Sequence, residues 1–376
     1  MIKFYPYIIL IFCLNFSISF ALPRFAVSNG ASCIACHINP TGSGMRNSHG
    51  NDVVALEELP LNIWQDKGDE NWDGYISNHL QIGGDFRLQG IQYNDSDTTR
   101  KSAIFPMQTD IYINITLNKN AGIFTKVGVK GDRAIKMEYW ALISNLPRKA
   151  WLRVGRTLPN YGLRVDDHTS FIRGGNINKT KVGLNTTNGN EGFLFIPDGP
   201  VPTILELGVP IYPKLEWTAS LGTSLVNANQ EMNNLSSKLT YRGSLGDNIS
   251  YRAGSSYMNE DNLNMVGLSG GISYGNFIWT FAVDKAENWV DNNTALALYD
   301  ELAWAIIQGI QLIGKYDFFD PNTNLQDGSI SRYTIGAEIY PLNIMEIKLQ
   351  IRINKVDMEN AAKKDPEYLI QTHLYF

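Results

Sequence analysis

Between Met345 and Asn354 apolar and polar residues alternate without a break, Met345, Ile347, Leu349, Ile351 and Ile353 against Glu346, Lys348, Gln350, Arg352 and Asn354. Successive side chains of an extended strand point to opposite faces, so this segment carries one wholly apolar and one wholly polar face. Lys214 to Leu221 repeats the pattern, with Leu215, Trp217, Ala219 and Leu221 on one side, and Arg332 to Ile339 does so with Tyr333, Ile335, Ala337 and Ile339. Ile111, Ile113, Ile115 and Leu117, then Ile249, Tyr251 and Ala253, continue it. From about Asn78 to the last residue the chain reads as strands of period two.

A soluble sandwich alternates too, so periodicity alone does not choose the solvent. Three further features favour lipid. The segments run roughly nine to thirteen residues, the length a tilted strand needs to cross the apolar layer, whereas soluble strands are mostly nearer about five or six. Aromatics such as Trp151, Tyr212, Trp217, Tyr241, Tyr257, Trp279, Tyr316 and Tyr340 fall near segment ends, where an interfacial girdle belongs. No mature stretch reads as a spanning helix. Leu302 to Gly314, the longest tempting run, is far short of the roughly twenty residues a helix requires. The last segment adds Tyr368, Ile370, Thr372, Leu374 and Phe376 on one face, and a chain stopping on Phe376 resembles the C-terminal signature of bacterial outer-membrane barrels. Strand starts near His79, Gln108, Gly122, Ile135, Lys149, Gly192, Lys214, Ser237, Asn248, Asn264, Phe277, Thr294, Ile310, Arg332, Met345 and Tyr368 predict an all-β, antiparallel transmembrane barrel of about sixteen strands.

Composition narrows the partners. The chain is 44% hydrophobic and 18% charged with 33 Gly, which suits many strands better than disorder or a coiled coil. Its formal net charge of −5 argues against a nucleic-acid partner, which demands a basic face to displace counterions. Outer-membrane lipid is the expected surrounding. Lys3, the apolar stretch Tyr7 to Leu14 and the small residues of Ser19-Phe20-Ala21 read as an export leader over residues 1–21, with Cys13 removed in it.

Two cysteines remain, in Cys33-Ile34-Ala35-Cys36-His37. Cys-x-x-Cys-His is the spacing of a c-type haem attachment: two thiols three positions apart reach two vinyl groups of one porphyrin, and the adjacent imidazole meets the iron. Cys33 and Cys36 are thus the expected covalent anchors of one haem c, and His37 the proximal iron ligand. A structural disulfide is the bland alternative in an exported chain, and a redox dithiol a second, without the βαβ setting of a thioredoxin fold. For the distal ligand, His49 is the first candidate, because eleven residues of Gly-rich loop, Pro40 to Gly50, carry it over the haem; Met45 is the alternative. Met in that place raises the reduction potential relative to a second His.

Two other segments stand out. Asp69-Glu70-Asn71-Trp72-Asp73-Gly74 matches the first half of a calcium loop, but its twelfth position is Leu80 and not a bidentate carboxylate, so a polar linker is the better reading. Tyr161 to Asn178 breaks the strand pattern and holds Arg164, Asp166, Asp167, His168 and Arg173, which suits a constriction loop or a solvated external loop; as metal ligands Asp166, Asp167 and His168 are too few.

A leader, one Cys-x-x-Cys-His near the mature N-terminus and a Phe-ended barrel resemble the fused cytochrome-porin proteins of the outer membrane, among them iron(II) oxidases. Only Cys33, Cys36 and His37 match residue by residue, while Gly155-Arg156 with Pro159, Tyr161 and Gly162 resembles a turn of specific porins. The resemblance implies three parts: leader 1–21, haem segment 22–75 plugging the lumen, and barrel 76–376. It also implies electron transfer across the outer membrane, with an extracellular donor or acceptor such as iron and a periplasmic c-type cytochrome as partners. A diffusion porin or solute channel with a haem-bearing plug or sensor is the alternative, and an exported soluble β protein a third reading.

Overall fold

The computed structural model describes residues 23–61, 72–94, 100–130, 134–165, 167, 169–173, 201–225, 231–246, 248–289, 292–326, 328–357 and 363–376. The expected leader, Asp166, His168 and the start of the calcium-loop match lie outside them.

A three-residue strand, β1 (Tyr75–Ser77), leads into β2 (Leu80–Asn94), β3 (Arg100–Asn118), β4 (Ala121–Lys130), β5 (Ala134–Leu146), β6 (Ala150–Arg156), β7 (Thr203–Tyr212), β8 (Leu215–Thr223) and β9 (Met232–Leu245). The chain continues through β10 (Ile249–Glu260), β11 (Leu263–Tyr274), β12 (Phe277–Glu287), β13 (Ala295–Ile307), β14 (Ile310–Asp320), β15 (Ile330–Leu342), β16 (Met345–Val356) and β17 (Lys363–Tyr375). Each of β2 to β17 pairs antiparallel with the next, and β17 closes on β2 from Glu367↔Tyr93 to Tyr375↔Asp85. The result is a closed barrel of sixteen strands, with β1 added beside β2 through Tyr75↔Gln81. Closure removes every sheet edge, which lets a sheet stand in lipid without unpaired backbone groups.

The wall is inside out relative to a soluble protein. Ile335 is 76% exposed and Ile111, Ile351, Ile353 and Ile370 also face outward, while Arg332, Glu338, Lys348 and Arg352 are buried in the lumen. Alternation therefore divides lipid from lumen, as it does in outer-membrane barrels. Leu302 to Gly314 is the β13–β14 hairpin, turning at Gln308-Gly309, where Gly309 has φ +80°. Turns of this tightness recur at one end of the barrel and the long connections at the other, so the tight end is periplasmic. Tyr212, Tyr241, Phe277 and Trp304 lie exposed near it, with Phe277 stacked on Trp304 at 5.6 Å between centroids. Trp151 and Tyr340, expected in that girdle, instead face the lumen. Each shares the polar phase of its strand, Trp151 with Arg153 and Tyr340 with Glu338, and the Tyr340 hydroxyl meets Glu338 at 3.1 Å and Glu346 at 3.0 Å.

The strand expected at Gly192 begins at Thr203, Gly192 itself lying outside the described residues, and the one expected at Gln108 begins at Arg100.

Two segments enter the lumen. From the periplasmic end comes the N-terminal segment, with α1 (Pro23–Ser28) and a π-type helix over Gly50–Glu58. Arg24 reaches Glu301 at 3.0 Å and also pairs with Glu338, Phe25 packs edge-on against Tyr340, and Val27 joins Ile278, Ala303 and Ile313. From the other end the connection after β6 folds inward. Tyr161, Leu163, Phe171 and Ile172 form one cluster with Met258, Met265, Phe319 and Ile330 of the wall.

Candidate functional site

Cys33–Ala35 forms a single tight helical turn, with the Cys36 and His37 amides donating to the Cys33 carbonyl at 3.2 and 3.1 Å. That turn puts the two cysteines and the histidine on adjoining positions of one compact unit. Its return strand is held by an isolated antiparallel bridge between His37 and Arg46 and by the Ile38 amide on the Met45 carbonyl at 3.1 Å. The intervening loop is fixed by Asn39, whose amide donates to the Gly42 carbonyl at 2.8 Å and whose Oδ1 accepts from the Thr41 amide at 3.1 Å. Gly42 is required twice. Its φ is +87°, and a β-carbon there would stand 3.2 Å from the Cys33 sulfur.

The two lumen segments meet at this loop. Arg153, fully buried in β6, donates to Asn39 Oδ1 at 2.6 Å and to Glu206 at 2.6 Å; Arg164 of the inbound loop donates to the Ser43 hydroxyl at 3.3 Å. The Cys-x-x-Cys-His turn thus lies inside the barrel and not at its rim.

Two cavities flank the turn. The larger, about 270 Å³, is lined by His37 together with Tyr112, Phe124 and Trp140 of the wall and Leu158 of the inbound loop. The smaller, about 70 Å³, is lined by Cys33, Cys36 and His37 with Arg164, Lys238 and Arg252. His37 Nδ1 lies 3.2 Å from the Gly44 carbonyl. That contact requires the proton on Nδ1, so the lone pair is on Nε2, the form and outer-sphere bond usual for an imidazole that binds a metal. Cys33 is half-buried and Cys36 buried, both as free thiols. Burial, with Glu58 and Cys33 adding to it, pushes the Cys36 thiol up, so it is neutral near pH 7.

Neither distal candidate lines a cavity with His37. Met45 is buried against Tyr112, Phe124 and Trp140, and His49 is exposed just before the π-type helix. His373 does line the larger cavity, with Nδ1 3.0 Å from Glu346 and Nε2 3.0 Å from Asp85. His79 is exposed and bonds the Thr116 carbonyl at 2.8 Å. Asp167 is taken up by Lys315 and Arg352, both at 3.4 Å, and no cluster of metal-ligating side chains occurs among the described residues. Asp73 and Gly74 end the calcium-loop match in a turn, where the Tyr75 amide bonds the Asp73 carboxylate at 2.8 Å.

Arg24, Arg153, Lys238 and Arg252 escape a reading of the sequence as functional positions. The signal is faint: each wall cation sits in the polar phase of its strand, as Lys238 does between Ser236 and Thr240, among dozens of equivalent lumen positions.

No family model and no curated sequence matches this chain. Solved structures do. An anion-selective porin from Comamonas acidovorans is similar at 9% identity with a TM-score of 0.55, covering 79% of this chain and 99% of that one. The outer-membrane channel DcaP of Acinetobacter baumannii gives 10% and 0.54, over 81% and 99%, and OprB of Pseudomonas putida 8% and 0.56, over 79% and 94%. At such identities the likeness concerns fold. The uncovered fifth is about the size of the N-terminal segment ahead of the barrel. Apolar outer wall, polar lumen and these neighbours agree: the chain is an all-β barrel of sixteen antiparallel strands with the porin fold, and it resides in the bacterial outer membrane.

Proposed function

We infer that this porin-fold barrel carries one haem c on its N-terminal segment, joined to Cys33 and Cys36 with His37 on the iron, and passes electrons across the outer membrane. The observation that carries this reading is the place of the Cys-x-x-Cys-His turn. It is inside the lumen, where the N-terminal segment meets β6 and the inbound loop.

The residues suit the group. His37 lines both cavities and the two thiols line the smaller one beside it, Gly42 leaves the Cys33 sulfur clear, and the Gly44 carbonyl fixes the imidazole with its lone pair on Nε2. Tyr112, Phe124 and Trp140 give the larger cavity an aromatic wall that suits a flat apolar ring. When bound, the haem supplies one-electron chemistry at iron. Asn39 and Arg153 hold the turn at mid-wall, Arg153 being the fourth of seven residues in β6. That position divides an apolar band of about 25 Å into two shorter electron steps. An extracellular donor, with iron(II) as the candidate, and a periplasmic c-type cytochrome are the implied partners.

A second reading is a diffusion porin whose N-terminal segment is a plug or sensor. The anion-selective porin and the DcaP channel among the fold neighbours speak for it more directly than for electron transfer.

Outer-membrane fractionation with a covalent-haem stain, then stopped-flow mixing of the purified protein with iron(II), tests the inference. Reduction of a covalent haem supports electron transfer. Solute flux through liposome-embedded protein, with a haem absent or inert to outside partners, favours the porin.

A further inference from the structure

The smaller cavity has an imbalance of charge that neither reading uses. Arg164, Lys238 and Arg252 all line it, and none of its lining residues is Asp or Glu. Lys238 is 6% exposed; it bonds the Gly162 carbonyl and lies 3.5 Å from the Asn160 amide oxygen, both neutral. Besides burial, Arg252 and Arg164 act on it repulsively and Cys33 attractively. Arg252 directs both terminal nitrogens toward the Cys33 sulfur at 3.9 Å. Arg164 donates to Ser43 and to the Leu158 carbonyl. Among the described residues no carboxylate stands within 4.0 Å of any of the three, although Glu206 and Glu138 attract Arg164 from further off. Several other buried cations of this lumen have acidic partners, as Arg24 has Glu301 and Glu338, Arg153 has Glu206 and Arg173 has Asp284.

Three converging cations withdrawn from bulk water repel one another and lose solvation, an arrangement that a counter-charge relieves. Guanidinium and ammonium donors around one small volume suit an oxyanion, which accepts several charge-assisted hydrogen bonds at once. We propose that Arg164, Lys238 and Arg252 form a mid-lumen binding site for a small oxyanion, an inorganic phosphate or a short carboxylate. The site goes beyond the haem reading but shares Cys33, Cys36 and His37 with it, so the test below is read on protein whose haem content is measured. The large aromatic cavity on the other face of His37 accommodates a flat ring, whereas a volume of about 70 Å³ has room only for an ion of a few atoms.

The test uses the full-length protein in neutral detergent at constant ionic strength, with phosphate and acetate as probes and thermal loss of β-sheet signal as readout. Lys238→Met and Arg252→Met remove one cation each, and Lys238→Arg keeps the charge. Saturable stabilisation by either probe is expected, with apparent affinity at least tenfold weaker in both Met variants and within about threefold of wild type in Lys238→Arg. A structural role would not produce the accompanying sign change: without added anion, each Met variant is at least as stable as wild type, because a repulsive charge has gone. No saturable response to either probe, or an equal response in wild type and Met variants, overturns the proposal. A protein found to carry no haem would defeat the electron-transfer reading and leave this result untouched.

Discussion

The two segments that fill the lumen are held there by different forces. The inbound loop is anchored chiefly by apolar contact, with the Arg173–Asp284 pair beside it: Phe171 and Ile172 are fully buried against Met258, Met265, Phe319 and Ile330 of the wall. The N-terminal segment makes smaller apolar contacts and is tied by charge, through Arg24 to Glu301 and Glu338 and through Asn39 to Arg153. Apolar burial is non-directional and indifferent to charge state, so it suits a permanent constriction. A buried ion pair depends on both partners and fails when one is removed. The loop is therefore part of the barrel, and the N-terminal segment is a passenger with a specific berth.

Phe171→Ala tests the first half and has the largest expected effect. Truncating a fully buried Phe costs about 3–5 kcal/mol, here drawn from the docking of the loop. Faster proteolysis of the loop and a larger single-channel conductance are expected. Conductance and cleavage unchanged from wild type would mean that the wall cluster does not hold the loop.

Arg24→Met addresses the other anchor. Breaking a buried pair by removing one member costs about 3–5 kcal/mol. The lower end applies, because Glu301 keeps Lys315 at 3.1 Å and Glu338 keeps Tyr340 at 3.1 Å. Loss of protection around residues 23–61 in hydrogen exchange, with the barrel strands still protected, is the expected outcome. Equal loss in both would make the segment an integral part of the barrel.

The wall itself gives a third handle. Ile335 lies near the middle of β15 and is 76% exposed. Ile335→Arg should cost about 2–4 kcal/mol if that face meets the bilayer midplane, as measured by urea titration of folding into vesicles. A cost near zero would place the face in water.

The contrast between the anchors also explains what the sequence disclosed. Alternation exposed the wall because lipid and lumen impose opposite chemistry at every second residue, so the strand count is legible from segments such as Met345 to Asn354, while the start of β7 at Thr203 is not. It carries no such signal where the inward phase is apolar. Met258, Met265, Ala295, Ala297 and Phe319 face the lumen yet are apolar, because they pack on the inbound loop and not on water. Those exceptions are the one local trace of the loop's destination, and they read as noise until the register is known. The Cys-x-x-Cys-His turn was legible because its chemistry lies within five residues. Arg24, Arg153, Lys238 and Arg252 were not, because their partners are distant in the chain, as Arg24 is from Glu338.

Asp167 gives the smallest expected effect, since it adds a second charged tie to a loop that Arg173 already ties to Asp284. Burial raises its carboxyl, but Lys315 and Arg352, each 3.4 Å away, overcome that and hold it well below the usual carboxylate range. A group whose folded value is depressed contributes stability above its unfolded value, near 3.9 for Asp, and loses it as pH falls toward the folded value. The contribution of Asp167 to loop docking should therefore be flat from pH 7 to about 4 and weaken only in stronger acid. Asp167→Asn keeps the shape and removes the charge, leaving Lys315 and Arg352 with one fewer counter-charge, and should cost about 1–3 kcal/mol. Loop protection against protease, followed across that pH range in wild type and in Asp167→Asn, separates the contributions. Wild-type protection falling already between pH 6 and 5 would show that another titrating group, and not Asp167, governs the docking.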